Sequence, residues 1–129
     1  MRFVHIVAIL AVAQFIFFTV QVGQARGRHG VKAPAITGHE EYERALRVQM
    51  NTLEQLACFL PVLFIAAVYW PGLYVAAIGV VYLVGRMLYW RAYMSDPTTR
   101  GPGFLLTAIP TFVLLVASLL GVLFGTQEL

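Results

Sequence analysis

Four long apolar runs constrain this 129-residue chain more than any other feature. They cover residues 3–22, 56–70, 73–94 and 103–124, and most of them approach the length of about 20 residues that an α-helix needs to cross a bilayer. Apolar residues make up 60% of the chain and charged residues 12%, which is about half the charge of a soluble domain. We therefore exclude a soluble monomer and a disordered chain, and expect an integral membrane protein.

Turn residues separate the apolar runs and set the expected helix boundaries. Pro71 and Gly72 make a tight turn after the second run, and Pro97 ends the third, because proline disfavours helix at the preceding residue. Pro110 lies within the fourth run, where we expect a kink rather than a break. The sequence thus predicts an all-α, up-down four-helix bundle that forms a single membrane domain over residues 1–129, with helices at approximately 2–24, 39–70, 73–95 and 102–125.

A cleavable signal peptide is the alternative interpretation of the first run. Gly23 and Ala25 are small residues at the spacing of a cleavage site. However, the run is long for a signal sequence, and its positive charge follows the apolar stretch instead of preceding it. A first membrane helix is therefore favoured.

Basic residues are sorted to one side of the expected membrane. Of the nine lysines and arginines, only Arg2 falls outside the segments around the first and third loops. The positive-inside tendency predicts that these two loops are cytoplasmic and that both termini lie on the opposite side. This sorting explains the net charge of +3, so we expect no nucleic-acid partner. The other eight basic residues are Arg26, Arg28, Lys32, Arg44, Arg47, Arg86, Arg91 and Arg100.

Polar side chains form stripes along two of the expected helices. Spacings of three and four residues put side chains on one face of a helix, and charges within a membrane span are expensive unless they are paired, hydrated or turned inward. We therefore expect the stripes to face each other, or a second subunit, around a polar cleft that opens to the cytoplasm. They consist of Arg44, Arg47, Asn51 and Glu54 in the second helix, and Tyr82, Arg86, Tyr89 and Tyr93 in the third.

The composition of these stripes suits a zwitterionic, peptide-like ligand. Arginines bind carboxylates in bidentate fashion, and Glu54 is suited to an ammonium group. The structural alternative is an ion pair of Glu54 with Arg86 or Arg47 inside the bundle, with the tyrosines forming an interfacial belt. The single cysteine, Cys58, excludes a disulfide framework, and the histidines lack companions at metal-ligand spacing, so we expect no metal site.

Motifs in the second and third helices resemble those of one known family. The second helix carries the pattern Arg-x-Gln-x-Asn-x-x-Glu at Arg47, Gln49, Asn51 and Glu54. Together with the segment 81–93 of the third helix, it resembles the signature of the membrane-associated proteins in eicosanoid and glutathione metabolism, the MAPEG family. The likeness is greatest to the branch of microsomal glutathione transferases and leukotriene-C synthases, and it extends over nearly the whole chain.

This resemblance implies a homotrimer of four-helix subunits that binds glutathione, as co-substrate, between neighbouring subunits at the cytoplasmic end. Arg100 matches the arginine proposed to hold the glutathione thiolate, so it is the expected catalytic residue. The implied second substrate is a lipophilic electrophile or hydroperoxide that arrives through the membrane lipid. The positions that match glutathione-binding residues are Arg26, Arg47, Gln49, Asn51, Glu54, Tyr89 and Tyr93.

Two other classes of function remain open. A non-catalytic family member would bind lipid or a partner protein, and loss of the arginines and tyrosines would mark it, but most of them are present here. A small multidrug exporter would keep its coupling glutamate in the first helix with few companion arginines. Here Glu54 lies in the second helix, in the same stripe as Arg44 and Arg47. We therefore expect a membrane glutathione transferase, with glutathione peroxidase activity as an open alternative for the same thiolate.

Overall fold

The computed structural model describes residues 1–125, whose regular secondary structure is helical throughout, without a strand. A short 3₁₀ helix, Pro97–Thr99, connects the last two of four α-helices. Each of these four is long and apolar enough to span a membrane, so the predicted architecture of four membrane-length helices is confirmed. The α-helices are α1 Arg2–His29, α2 Glu40–Tyr69, α3 Gly72–Ser95 and α4 Gly101–Phe124.

The helices α2 and α3 form the centre of the bundle. Both pack on α1 and on α4, whereas α1 and α4 hardly touch. The apolar core lies between them: the rings of Phe59 and Tyr82 stack with centroids 3.8 Å apart, and Leu63 and Leu114 are fully buried. Many large apolar side chains of α1 and α4 point outward, as expected of surfaces that face lipid or another subunit.

The first helix is longer than predicted, because α1 continues from the expected end at residue 24 to His29. Three basic residues, Arg26, Arg28 and His29, stand in its last turn, where positive charge favours the negative end of the helix dipole. Gly30 ends the helix at φ 63°, a left-handed conformation that glycine adopts without strain, and its N–H donates to the carbonyl of Arg26. The end of the first apolar run therefore does not mark the end of the helix.

The start of α2 and the absence of a helix break at Pro110 agree with the sequence. His39 caps α2, since its Nδ1 accepts a hydrogen bond from the N–H of Glu41 at 3.1 Å, and three glutamates follow in the first turn. Pro110 lies inside α4, which continues through it without a break, and Pro61 is accommodated in the same way inside α2. The helix limits thus fall within one residue of those expected for α2, α3 and α4.

Two glycines allow α3 and α4 to approach each other closely. A Cβ atom added to Gly103 of α4 would fall 2.4 Å from the backbone nitrogen of Tyr89 on α3. One added to Gly85 of α3 would fall 2.6 Å from the carbonyl carbon of Leu106 on α4. Only glycine permits this spacing, because real Cβ atoms essentially never come so close to backbone. The contact holds the start of α4, and Arg100 before it, against the part of α3 that carries Tyr89.

The turn between α3 and α4 is built around Asp96, the only aspartate of the chain. Its carboxylate accepts hydrogen bonds from the hydroxyl of Thr98 at 2.8 Å and from the backbone N–H of Thr98 at 3.0 Å. These bonds favour the ionised form, and the hydroxyl contributes most to holding the pKa of the Asp96 carboxyl below its usual range. Arg100 comes directly after this turn, so the hydrogen bonds of the Asp96 carboxylate stabilise the turn from which Arg100 projects.

We expect the substitution Gly103→Ala to lower the free energy of unfolding by about 1–3 kcal/mol, because the added methyl group forces α4 away from α3. Thermal unfolding of the detergent-solubilised protein, followed by circular dichroism, measures the change. Gly23→Ala is the matched control, since a Cβ atom there meets nothing within 4 Å. Equal stability losses in the two variants would show that the close approach of α3 and α4 is not required.

We expect the Asp96 carboxyl to titrate below the range of a free aspartate. Because its folded pKa is lowered, its stabilisation of the turn is complete above the unfolded pKa and is lost as the pH falls through the folded pKa. Carboxyl-¹³C aspartate gives a single signal for the titration, since the chain has one aspartate.

In the variant Thr98→Ala, which removes the hydroxyl bond, the pKa of Asp96 should rise. Thr111→Ala is the control, because the Thr111 hydroxyl bonds only to the carbonyl of Thr107 within α4. If Thr98→Ala left the pKa unchanged, the described geometry of the turn would be wrong.

Candidate functional site

A polar cavity lies where α2, α3 and α4 meet, at the end of the bundle that contains the α3–α4 turn. Its volume is about 360 Å³. Phe104, which was not among the predicted site residues, also borders the cavity. Its only signal in the sequence is its position four residues after Arg100, about one helical turn away. Five of the eight predicted site residues line the cavity: Arg47, Asn51, Tyr89, Tyr93 and Arg100.

The cavity carries two guanidinium groups and no carboxylate. Arg47 is exposed on α2, and its side chain donates to no group within residues 1–125. Arg100 is exposed before the first turn of α4, and among the described residues its side chain donates only to the carbonyl of Pro97, at 3.0 Å. Arginine remains charged at all physiological pH values and offers five N–H donors. These unused donors favour an anionic ligand that accepts several hydrogen bonds.

Two tyrosines of α3 form the wall opposite Arg47. Tyr89 and Tyr93 stand one turn apart, with ring centroids 5.6 Å from each other. Tyr89 is buried and Tyr93 is half-buried, and neither hydroxyl is bonded to another described residue. Both hydroxyls are therefore available as donors or acceptors to a ligand in the cavity.

Arg86 lies beneath this wall and is fully buried. Its Nη1 donates to Asn51 Oδ1 at 2.8 Å and to Thr52 Oγ1 at 3.1 Å, and its Nε donates to Thr107 Oγ1 at 2.9 Å. The ion pair of Glu54 with Arg86 or Arg47, which was the structural alternative for the stripes, is not formed. Arg86 instead connects α3 to α2 and α4 through neutral partners.

Three of the eight predicted site residues lie away from the cavity. Glu54 is exposed on α2 and forms no ion pair within residues 1–125. Gln49 is on the side of α2 that faces α1, where its Nε2 donates to Thr19 Oγ1 at 3.1 Å. Arg26 donates to the carbonyls of Val31 and Ala35 in the α1–α2 loop and to the hydroxyl of Tyr42. A single copy of the chain therefore does not assemble all eight.

Arg44, the first residue of the α2 stripe, has a structural role that the sequence analysis missed. It donates to the carbonyls of Met94 and Ser95, at 2.9 and 3.3 Å, and forms an ion pair with Glu40. These bonds satisfy the last carbonyls of α3. The only sequence signal was the stripe itself, which did not distinguish a helix-capping arginine from a ligand-binding one.

A larger cavity of about 670 Å³ lies between α1 and α3 and is almost entirely apolar. Of its two polar residues, Gln14 donates to the carbonyl of Leu83 at 2.9 Å, and Arg91 stands at one end. It shares no residue with the polar cavity. Within the described part of the chain, no three histidine, cysteine or acidic side chains cluster in a way that would hold a metal ion.

Comparisons with known proteins agree with the resemblance that the motifs indicate. The MAPEG family model matches residues 4–120. An uncharacterized protein of Synechocystis sp. is 41% identical over 124 residues, which are 96% of this chain and 90% of that protein. Human microsomal glutathione S-transferase 2 is 37% identical over 117 residues, or 91% of this chain and 78% of the relative. Leukotriene C4 synthase of Cavia porcellus is 35% identical over 117 residues, with the same coverage.

The resemblance noted in the sequence is thereby confirmed, because the family match covers most of the chain and the relatives align over most of their own length. Four membrane-length helices and this match together identify a multi-pass membrane protein. The chain belongs to the MAPEG family.

Proposed function

We propose that this protein is a membrane glutathione transferase that binds glutathione in the polar cavity and holds it as the thiolate. The observation that carries the proposal is the convergence of Arg47 and Arg100 with Asn51, Tyr89 and Tyr93 around one cavity without a carboxylate. Glutathione carries two carboxylates and one ammonium group, so its charge complements this lining. Two of the relatives, a glutathione S-transferase and a leukotriene C4 synthase, support the same choice by their names.

The proposed reaction depends on the acidity of the glutathione thiol. A free thiol of this kind has a pKa of about 8.5, and each unit by which a site lowers it corresponds to about 1.4 kcal/mol. Arg100 cannot act as a base, because it stays protonated, but its charge stabilises the thiolate after the thiol proton has passed to water. The sulfur then forms a bond to the electrophilic carbon of the second substrate, and the leaving group takes the electron pair of the bond that breaks.

We also propose that the site is completed by a neighbouring copy in a homotrimer. Arg26 and Gln49 lie on the α1 side of the bundle, away from the cavity of the same copy. Glu54 points outward from α2. In a ring of identical subunits, the α1 side of one copy faces a different surface of the next, so residues from opposite sides meet at each interface.

The proposed second substrate is a lipophilic electrophile, with a hydroperoxide as the alternative acceptor of the same thiolate. The outward apolar side chains of the four helices place the molecule among lipids, which dissolve such compounds. The sorting of the basic residues supports a cytoplasmic position for the cavity and the two loops beside it, with both termini on the other side. The last residues, 126–129, lie outside the described part of the chain.

Replacement of Arg100 separates binding from chemistry. If Arg100 acts on the sulfur, Arg100→Ala should lower kcat in an aryl-halide conjugation assay far more than it weakens glutathione binding. The ultraviolet absorbance of the thiolate allows the pKa of bound glutathione to be titrated, and this pKa should rise by about one unit or more in the variant. Arg100→Lys should be intermediate, because lysine keeps the charge without the planar fork.

Arg91→Ala is the matched control for this experiment, since Arg91 is exposed and does not border the polar cavity. We expect parental values of kcat and thiol pKa for it. A poorly binding Arg100→Ala that still ionises glutathione like the parent would assign Arg100 to carboxylate binding instead.

Subunit mixing tests whether the site is shared. Arg47→Ala removes a cavity residue, and Arg26→Gln changes a residue on the opposite side, so each variant alone should be nearly inactive. When both variants are co-expressed in equal amounts, half of the copies keep Arg47 and the other half keep Arg26. An intact interface needs Arg47 from one copy and Arg26 from the next, so about a quarter of the interfaces in a trimeric ring are complete. Activity should recover in proportion, whereas trimers made of one variant alone should stay inactive. No recovery in verified mixed trimers would show that neighbouring copies do not share the site.

A further inference from the structure

Arg86 is a fully buried charged side chain that the proposed reaction does not use. It does not border the polar cavity itself. It contacts two residues that do: Asn51, which accepts a hydrogen bond from its Nη1 at 2.8 Å, and Tyr89, whose ring centroid lies 4.3 Å from the guanidinium carbon. Arg86 therefore stands directly behind two sides of the cavity.

The hydrogen bond to Asn51 determines which end of the amide faces the ligand. Arg86 has only donors, so it selects the carbonyl oxygen Oδ1 of Asn51. The Nδ2 group is thereby left with its two N–H donors for the cavity, where they suit a carboxylate or carbonyl oxygen. The guanidinium plane over Tyr89 likewise supports one orientation of that ring.

The charge of Arg86 is not balanced by any acidic side chain within residues 1–125. Its partners Asn51, Thr52 and Thr107 are neutral. Among the described residues, neither its Nη2 nor the buried hydroxyl of Tyr82, four residues earlier on α3, has a hydrogen-bond partner. A buried cation without a counter-charge is unfavourable, and an anion in the adjacent cavity reduces that cost. The field of Arg86 thus adds to those of Arg47 and Arg100.

We infer that Arg86 is a positioning residue of the cavity, which directs the Asn51 amide donors toward the ligand and strengthens the binding of anions. The inference rests on the proposed function for the identity of that anion, glutathione, but not for the orientation of Asn51.

The orientation of Asn51 has a spectroscopic test that needs no ligand. Asn51 is the only asparagine of the chain, so ¹⁵N-asparagine labelling gives one pair of side-chain amide signals. In Arg86→Lys the charge remains, but one ammonium group cannot reproduce the planar set of bonds to α2 and α4, so the pair of signals should move and lose its protection from exchange with water.

Arg91→Lys is the matched control, because Arg91 lies on the same helix but is exposed and makes no side-chain hydrogen bond within residues 1–125. Its Asn51 signals should coincide with those of the parent. If Arg86→Lys does not fold, Thr107→Val provides a milder change: it removes the acceptor of Arg86 Nε without altering any cavity residue or charge. Asn51 signals that stay unchanged in whichever of these variants folds would overturn the inference.

A double-mutant cycle tests the effect on ligand binding. Arg86→Lys should weaken glutathione binding, measured by calorimetry, about ten-fold in the parent and much less in an Asn51→Ala background, since the effect passes through Asn51. Equal weakening in both backgrounds would show that the effect of Arg86 on binding does not pass through Asn51, and would overturn the inference. If the parent itself does not bind glutathione, the proposed function fails, while the Asn51 signals still decide the positioning role of Arg86.

Discussion

The polar end of this bundle depends on how one buried cation is accommodated. Inside packed membrane helices, water is not available to solvate a guanidinium group, so Arg86 must find its partners on neighbouring helices. It reaches α4 through Thr107 and α2 through Asn51. The next residue back along α3, Gly85, lies against Leu106, the neighbour of Thr107, and so the close approach of the backbones and the hydrogen bond occur at one crossing. The cavity above it takes its shape from that crossing.

The helices were predictable because hydropathy reports directly on the lipid solvent. The limits of α3 and α4 and the end of α2 lie close to the ends of apolar runs, where turn residues also stand, whereas α2 begins well before its apolar run, at the cap His39. At the end of α1, the end of the apolar run and the residue that stops the helix lie at different positions. The segment 25–29 is polar and basic, but the backbone hydrogen bonds of a helix form equally well in the headgroup region, and Gly30 provides the actual stop. Hydropathy alone therefore predicts an end of α1 that is too early in the chain.

The site was predictable from helical periodicity only in part. From Arg44 to Glu54 the stripe on α2 is about 80° wide at 100° per residue, so its two edges meet different surroundings. Arg44, at one edge, reaches the end of α3 and satisfies its carbonyls, whereas Glu54, at the other, points outward. Arg47 and Asn51, between them, line the cavity. Periodicity places residues on a side of a helix, but only the packing of α3 and α4 decides which part of that side becomes a site.

The outward position of Glu54 has an energetic consequence. It lies beside two exposed apolar residues, Met50 and Leu53, just before the apolar run of α2. Glu54 forms no ion pair within residues 1–125, and an unpaired carboxylate beside apolar side chains is unfavourable where water is scarce. A neighbouring copy that covers this surface with donors would remove it, and Arg26 and Gln49, on the α1 side, are the donors that the cavity of their own copy leaves out. The lack of a partner for Glu54 within its own copy thus favours the same assembly that would complete the cavity.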